Sequence, residues 1–418
     1  MGYWIKRVFY FFILIGSPLW SSSQTTPAEK PPILIGMSTA LSGSAEELGR
    51  NMKLGVDIYF TNVNASGGVA GRELKLIAYD DGYEPGRAAV NMRKLIDQDQ
   101  VLAVIGNVGT PTAVVTVPIA NEKKTLLFGA FSGADILRKT PPDRYVINFR
   151  ASYAEETSAM VKALLSMGIK PNELAFFTQN DSYGDSGYFG AVNALKAAGY
   201  PHSEDLPHGR YNRNTLNIEE GLATLINGNG PPKAIILVGA YAPVAKFIKK
   251  AKKIFSPTPL FLNVSFVGTI ALAKELDHEG ENVIVMQVVP PYDINLPAIT
   301  QYLADLKKYG GDAKPNFGSL EGYLVAKLFV LGLQRAAAEN ALTREGIIDA
   351  FEQMHDVDIG IGANIHFDKD HHQALHKTWA TIWKNGKFVS FDWDQLHLNL
   401  ETAIGPAPTA VSRLNEAK

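Results

Sequence analysis

Residues 35–81, IGMSTALSGSAEELGRNMKLGVDIYFTNVNASGGVAGRELKLIAYDD, decide how the rest of the chain is read. The stretch opens in the apolar run ILIGM and closes in LKLIAYD, both without the polar–apolar alternation of a half-exposed sheet. Such continuous runs suit strands buried on both faces of a parallel sheet. Between them Leu48, Met52, Val56, Tyr59 and Val63 recur at three- and four-residue intervals, which predicts a helix with one apolar stripe. Ser42 and Gly43 turn the chain at the strand end, Gly67-Gly68 closes the helix, and Pro85 sits near the start of the next. The unit is strand, helix, strand.

The same unit repeats. LAVIG, LLFGAF, YVINF, ELAFFT, AIILVG, PLFLN and VIVMQVV read as further buried strands, and AEETSAMVKALLSMG and GYFGAVNALKAAG as helices ending in glycine. Alternation with short connections means an α/β fold with right-handed crossovers. Near Arg150 the count starts afresh, so two similar lobes are expected. The end differs, with a hairpin turning at Asn385-Gly386. Two such lobes leave a cleft between the carboxyl ends of their sheets, where ligands bind in these folds.

Composition narrows the function. The 418 residues are 46% apolar and carry a net charge of −2, with no strongly basic stretch to suit nucleic acid or an anionic membrane. The absence of cysteine removes disulfides, thiolate metal sites, cysteine nucleophiles and a lipidated N-terminal cysteine. Lys6 and Arg7, the apolar VFYFFILIG and the polar exit SPLWSSSQ have the layout of a secretory signal over 1–23, followed by a linker over 24–32. About nine apolar residues fall short of the ~20 that a spanning helix needs, so cleavage before Gln24 is expected.

Taken in order, this opening stretch with VIGNVGTPTA, LLFGAFSGADILR, QNDSYGDSG, ILVGAYAPVAKFIKKAK and FGSLEGYLVAKLF resembles the branched-chain amino acid-binding type of periplasmic solute-binding protein. Those proteins are the receptors of ABC importers. The resemblance implies a type I periplasmic binding protein fold, with two doubly wound parallel-sheet lobes joined by a three-strand hinge. Crossings are expected near 149–152, 287–291 and 360–366. Lobe one would then hold 33–150 plus 290–360, lobe two 151–289 plus 361–395, and 396–418 a tail. It further implies a monomeric periplasmic receptor without cofactor or metal, which passes a small amino acid-like, amide or carboxylate ligand to a membrane permease. A receptor that reports its ligand to a signalling partner is the alternative within the same fold.

Site residues carry over one by one. Thr110 matches the hydroxyl position for an α-carboxylate, with helix capping as its other role. Ala130 and Ser132 match a main-chain and side-chain pair that grips a zwitterionic head, and Phe131 lines the pocket or packs into lobe one. Tyr183 and Tyr241 would come from lobe two as lids with a hydroxyl. Ser265 stands where amino acid-binding members carry an acid for the ligand ammonium. A buried ammonium needs a countercharge, so either another carboxylate supplies it or the ligand lacks the amine.

Two rival readings attach to short motifs. Gly184-Asp185-Ser186-Gly187 is the stretch around the nucleophile of trypsin-like proteases, which would make the chain a secreted serine hydrolase. No histidine falls in a segment expected to face Ser186, and that residue is read as a cap of the helix after Tyr183. His366, His371, His372 and His376 with Asp368 and Asp370 hold potential zinc ligands, but their spacing fits no closed zinc pattern.

Overall fold

The computed structural model describes residues 30–394 apart from 229, together with 1–4, 6 and 8. The signal-like segment and the 396–418 tail lie outside the described residues, save those few N-terminal positions. Among the described residues no helix is long and apolar enough to cross a membrane.

The first sheet is built from β1 (Ile33–Thr39), β2 (Leu74–Asp80), β3 (Ala103–Ile105), β4 (Leu127–Phe128) and β5 (Val146–Ile147), in the order β2-β1-β3-β4-β5. All its pairings are parallel, with Ile33 opposite Leu74 and Ile35 opposite Ala103. The crossovers are α1 (Glu46–Ala65), α2 (Pro85–Arg93) and α3 (Thr110–Glu122). The runs are apolar because both sheet faces are covered, and Ile33, Ile35 and Met37 on β1 are buried.

Beyond β5 the chain enters α4 (Tyr153–Ser166) through a capping box. Ser152 Oγ accepts from the Glu155 N–H, and the Glu155 carboxylate accepts from the Ser152 N–H. A second sheet follows: β6 (Leu174–Gln179), α5 (Ser182–Ala197), β7 (His208–Tyr211), α6 (Glu219–Ile226), β8 (Ala234–Val238), α7 (Tyr241–Ile254), β9 (Leu260–Asn263), α8 (Thr269–Leu276) and β10 (Val283–Gln287). The chain then returns to the first lobe as α9 (Pro297–Tyr309), α10 (Phe317–Ala338), α11 (Arg344–Glu352) and the small ladder of β11 (Val357–Asp358) with β12 (Asn364–Ile365). The hairpin of β13 (Trp379–Lys384) and β14 (Lys387–Phe391) completes the second sheet, in the order β14-β13-β10-β9-β8-β6-β7. Its turn is Asn385-Gly386, and β13 is antiparallel to β10.

Helix α10 lies across α1. The approach is close because Gly55 and Gly322 face the partner backbone; a Cβ would meet Ser319 O at 2.0 Å and Met52 O at 2.2 Å respectively.

One boundary differs from the sequence reading. The third passage between the sheets lies at His372–Leu375, where the Asn148 N–H donates to His372 O and the Ala374 N–H to Asn148 O. Residues 361–371, placed by sequence in lobe two, stay with the first lobe. There Ile365 is buried, Phe367 packs edge-on against Phe351 at 5.8 Å, and the Phe367 N–H donates to Met354 O.

Candidate functional site

The C-terminal ends of β3 and β4 bring two of the predicted residues into contact. Thr110 opens α3 and Ser132 lies past β4, and their hydroxyl oxygens are 2.7 Å apart. Both side chains are buried. The loop between them is tied to β3, since the Phe131 N–H donates to Asn107 O and the Gly109 N–H to Phe131 O. Ala130 is buried beside them and accepts from the Ser132 N–H at 2.8 Å. Gly109 leaves room for a ring, because a Cβ there would stand 2.3 Å from Tyr83 Cε2.

From the other sheet comes an aromatic plug. Phe266 packs against Tyr183 at 4.7 Å, Phe131 at 5.7 Å and Tyr83 at 5.9 Å, and Tyr153 lies 5.3 Å from Tyr183. Phe131 therefore both lines the cleft and packs onto the opposite lobe. Burial holds the Tyr183 and Tyr83 hydroxyls well above the usual phenol range, so they remain neutral donors. The Tyr183 hydroxyl donates to Gly239 O at 3.3 Å, and the Gln179 amide donates to the Tyr83 hydroxyl at 3.2 Å. The Tyr153 hydroxyl is buried beside Thr110, with no hydrogen bond of normal geometry among the described residues.

Tyr241 takes a different place. As the first residue of α7 it meets the start of α1; its hydroxyl is raised by burial first and then by Glu46 and Glu47 across the cleft. It is buried against that helix start, and no hydrogen bond among the described residues joins it to Thr110 or Ser132.

Ser265 is occupied by a neighbour absent from the sequence reading. Its N–H and its hydroxyl both donate to Glu156 of α4, at 2.6 and 2.9 Å. Glu156 has no exposed surface, and burial raises its carboxyl to about 7 against the opposing influence of Arg150 and of the two hydrogen bonds.

A second buried charge pair was also missed. Arg150 Nε and Nη2 each donate to one oxygen of Glu321 at 2.8 Å, and the guanidinium lies 4.2 Å from the Phe131 ring centre. Burial works against the Arg150 charge, and Glu321 more than offsets it. Arg150 Nη1 is buried and has no hydrogen-bond partner among the described residues. The signal that could have found this pair is Glu321 itself, an acid within the apolar run 317–333. A narrow cleft opens from here, lined by Leu48, Phe131, Arg150, Ser265, Ile270 and Phe317 among others.

The rival motifs resolve locally. Ser186 lies inside α5, not at its start; the cap is Asp181, whose carboxylate accepts from the Tyr183 N–H at 3.0 Å. Ser186 Oγ is buried and has no hydrogen-bond partner among the described residues, whereas a serine nucleophile needs an adjacent base. In the histidine-rich stretch, His366 and His371 pair with Asp368, His372 turns inward to Val146 O and Glu352, and His376 pairs with Glu155. Among the described residues no group of three or more His, Cys, Asp or Glu is arranged to hold a metal ion. Asp80 accepts from the Leu41, Ser42 and Gly82 N–H groups and stitches the turn after β1 to the end of β2.

One parallel sheet and one mostly parallel sheet, each with its helices, form the two lobes of an α/β fold of the kind that holds a ligand between them. Residues 32–387 match the family described as "Periplasmic binding protein". The chain belongs to that family, in its Leu/Ile/Val-binding-like branch with the type I fold. It is 45% identical to a possible leucine/isoleucine/valine-binding protein from Rhodopirellula baltica SH 1, whose crystal structure superposes with a TM-score of 0.85 over 89% of this chain and 99% of that one. It is 22% identical to Leu/Ile/Val-binding protein homolog 7 of Brucella abortus, over 86% of this chain and 90% of the relative. A fatty acid ABC transporter substrate-binding protein from Thermomonospora curvata shares the fold, with a TM-score of 0.75 at 22% identity over 87% of this chain and 92% of that one.

Proposed function

We propose that this chain is an exported, monomeric, non-enzymatic solute receptor, processed near Gln24, that closes on a small polar organic ligand between its lobes and delivers it to an ABC permease. The observation that carries the reading is the buried Thr110–Ser132 hydroxyl pair at the ends of adjacent strands, in the lobe that faces the second sheet. Buried hydroxyls without enough partners bind oxygens from outside, and a hinged pair of lobes supplies the closure. Thr110, Ala130, Phe131 and Ser132 would hold the head group from lobe one, with Tyr183, Tyr241 and Ser265 closing from lobe two.

A thermal-shift screen over amino acids, amides and aromatic acids tests it. A cognate ligand at ~100 times its dissociation constant should add about 2.7 kcal/mol of stability. A protein that melts cooperatively yet responds to no compound would defeat the reading.

A further inference from the structure

Outside the cleft, the chain brings two imidazoles together nitrogen to nitrogen. His355 follows α11 and His366 follows β12; their Nδ1 atoms are 3.2 Å apart and their ring centres 4.7 Å apart. The backbone fixes this approach. The β11–β12 ladder pairs Val357 with Ile365, and beyond it the Phe367 N–H donates to Met354 O. Met354 and Phe367 are buried and anchor the two segments, which leaves the exposed His355 and His366 side by side.

Asp368 sets the tautomer. Its carboxylate accepts from His366 Nε2 at 3.0 Å, from His371 Nδ1 at 2.8 Å and from the Asp370 N–H at 2.8 Å. An ionised carboxylate only accepts, so His366 carries its proton on Nε2 and turns a bare Nδ1 toward His355. Metal-binding histidines have this arrangement, with the far ring N–H on a carboxylate that orients the ring and raises its basicity. Two nitrogens bound at ~2.0–2.1 Å to one tetrahedral ion stand about 3.3 Å apart, close to the spacing found between His355 and His366.

The surroundings favour a cation. The depression beside His355 is lined by Glu339, Asp349, Glu352, Asp368 and Asp370, with Lys369 as the basic residue of that lining. We infer that His355 Nδ1 and His366 Nδ1 form a two-nitrogen site for one divalent transition-metal ion of the zinc, nickel and copper group, with Asp368 holding His366 from behind. Imidazole suits these ions, whereas magnesium and calcium take oxygen ligands. Two protein ligands make an open surface site, with water completing the coordination, and not a closed structural one. None of these residues lines the cleft. The ion would instead tie the loop after α11 to the stretch that enters the third chain passage at His372–Leu375.

The test uses the full chain without a polyhistidine tag, titrated calorimetrically with ZnCl2, NiCl2 and MgCl2. One zinc or nickel ion per chain is expected, and no heat from magnesium. His355→Ala and His366→Ala should each bind zinc at least tenfold more weakly, and Asp368→Asn about tenfold more weakly. His202→Ala, an exposed histidine of the second lobe, should bind like wild type. Zinc should raise the melting temperature of wild type and leave that of His366→Ala unmoved. One equivalent of copper(II) should give an electron paramagnetic resonance spectrum with two nitrogen ligands in wild type, and this readout does not depend on any variant folding. If magnesium binds as tightly as zinc, the carboxylates of the depression are the site and the inference falls. It falls equally if either histidine variant keeps wild-type zinc affinity, if copper shows fewer than two nitrogens, or if no ion binds.

Discussion

Thr110 and Ser132 were singled out through the family resemblance, and the structure brings their hydroxyls to 2.7 Å of each other. Removing either should leave a desolvated ligand oxygen unpaired, costing about 1–3 kcal/mol, or roughly tenfold to a hundredfold in affinity. Titration calorimetry on Thr110→Ala and Ser132→Ala with a ligand from the screen checks this, and wild-type affinity in both would move the head group elsewhere. Arg150 and Glu321 were not legible as a pair, since 171 residues separate them and local periodicity carries no information over that span. Their pairing predicts an asymmetric cost. Glu321→Ala strands a buried guanidinium and should destabilise by roughly 3–5 kcal/mol in urea unfolding, whereas a loss under 1 kcal/mol would show the pair to be dispensable. Glu156 sets a pH signature with a definite sign. Its folded carboxyl is raised from 4.5 to about 7, so the stabilisation from holding the proton is complete below about 4.5 and lost as pH rises through 7. The wild-type minus Glu156→Gln difference in unfolding free energy should therefore fall between pH 5 and pH 8. A flat difference would place the carboxyl at its ordinary value.

Helix α5 shows where pattern reading stops at the level of elements. Its existence followed from GYFGAVNALKAAG, but its start lies earlier, at Ser182, since the polar run Asn180–Asp185 offers several residues able to cap. Geometry selects Asp181, and Ser186 falls in the second turn with its hydroxyl buried and, among the described residues, unpartnered. The two positions should respond in opposite ways. Asp181→Ala removes a cap and should cost about 1 kcal/mol. Ser186→Ala removes an unsatisfied buried polar atom and should be neutral or mildly stabilising. Paired melting curves decide, and a larger loss at Ser186 would contradict the assignment of the cap. The third passage was misplaced for a related reason. Ile365 and Phe367 are apolar residues in a loop-like stretch, and they pack equally well in principle on either lobe until Phe351 and Met354 claim them.

The molecule as a whole is held closed by contacts that no local pattern reveals. Arg213, past the end of β7, pairs with Glu84 of the first lobe at 3.0 Å, and also with Asp181 at 3.6 Å. Asn214 bonds both Glu84 and Ser44, and Gln179 reaches the Tyr83 hydroxyl at 3.2 Å. The Arg213 and Asn214 contacts are partly exposed, while Gln179–Tyr83 is buried beside the aromatic plug and Arg150–Glu321 lies by the first chain passage. Arg213 and Glu84 keep 24% and 44% of their side chains exposed, and such pairs contribute only about 0.2–1 kcal/mol. Arg213→Ala should therefore lower the closed-to-open ratio by a factor of roughly 1.4 to 5. If the free protein is mostly open, the whole of that factor appears as a weaker Kd. If it is mostly closed, Kd changes less and the radius of gyration of the free protein grows. Small-angle scattering with and without ligand, together with calorimetry, separates the two cases. Raised salt should reproduce the effect in wild type and add little in the variant, because the interaction removed is a solvent-screened charge pair. A variant with unchanged Kd, unchanged dimensions and unchanged salt response would show that these contacts follow closure and do not drive it.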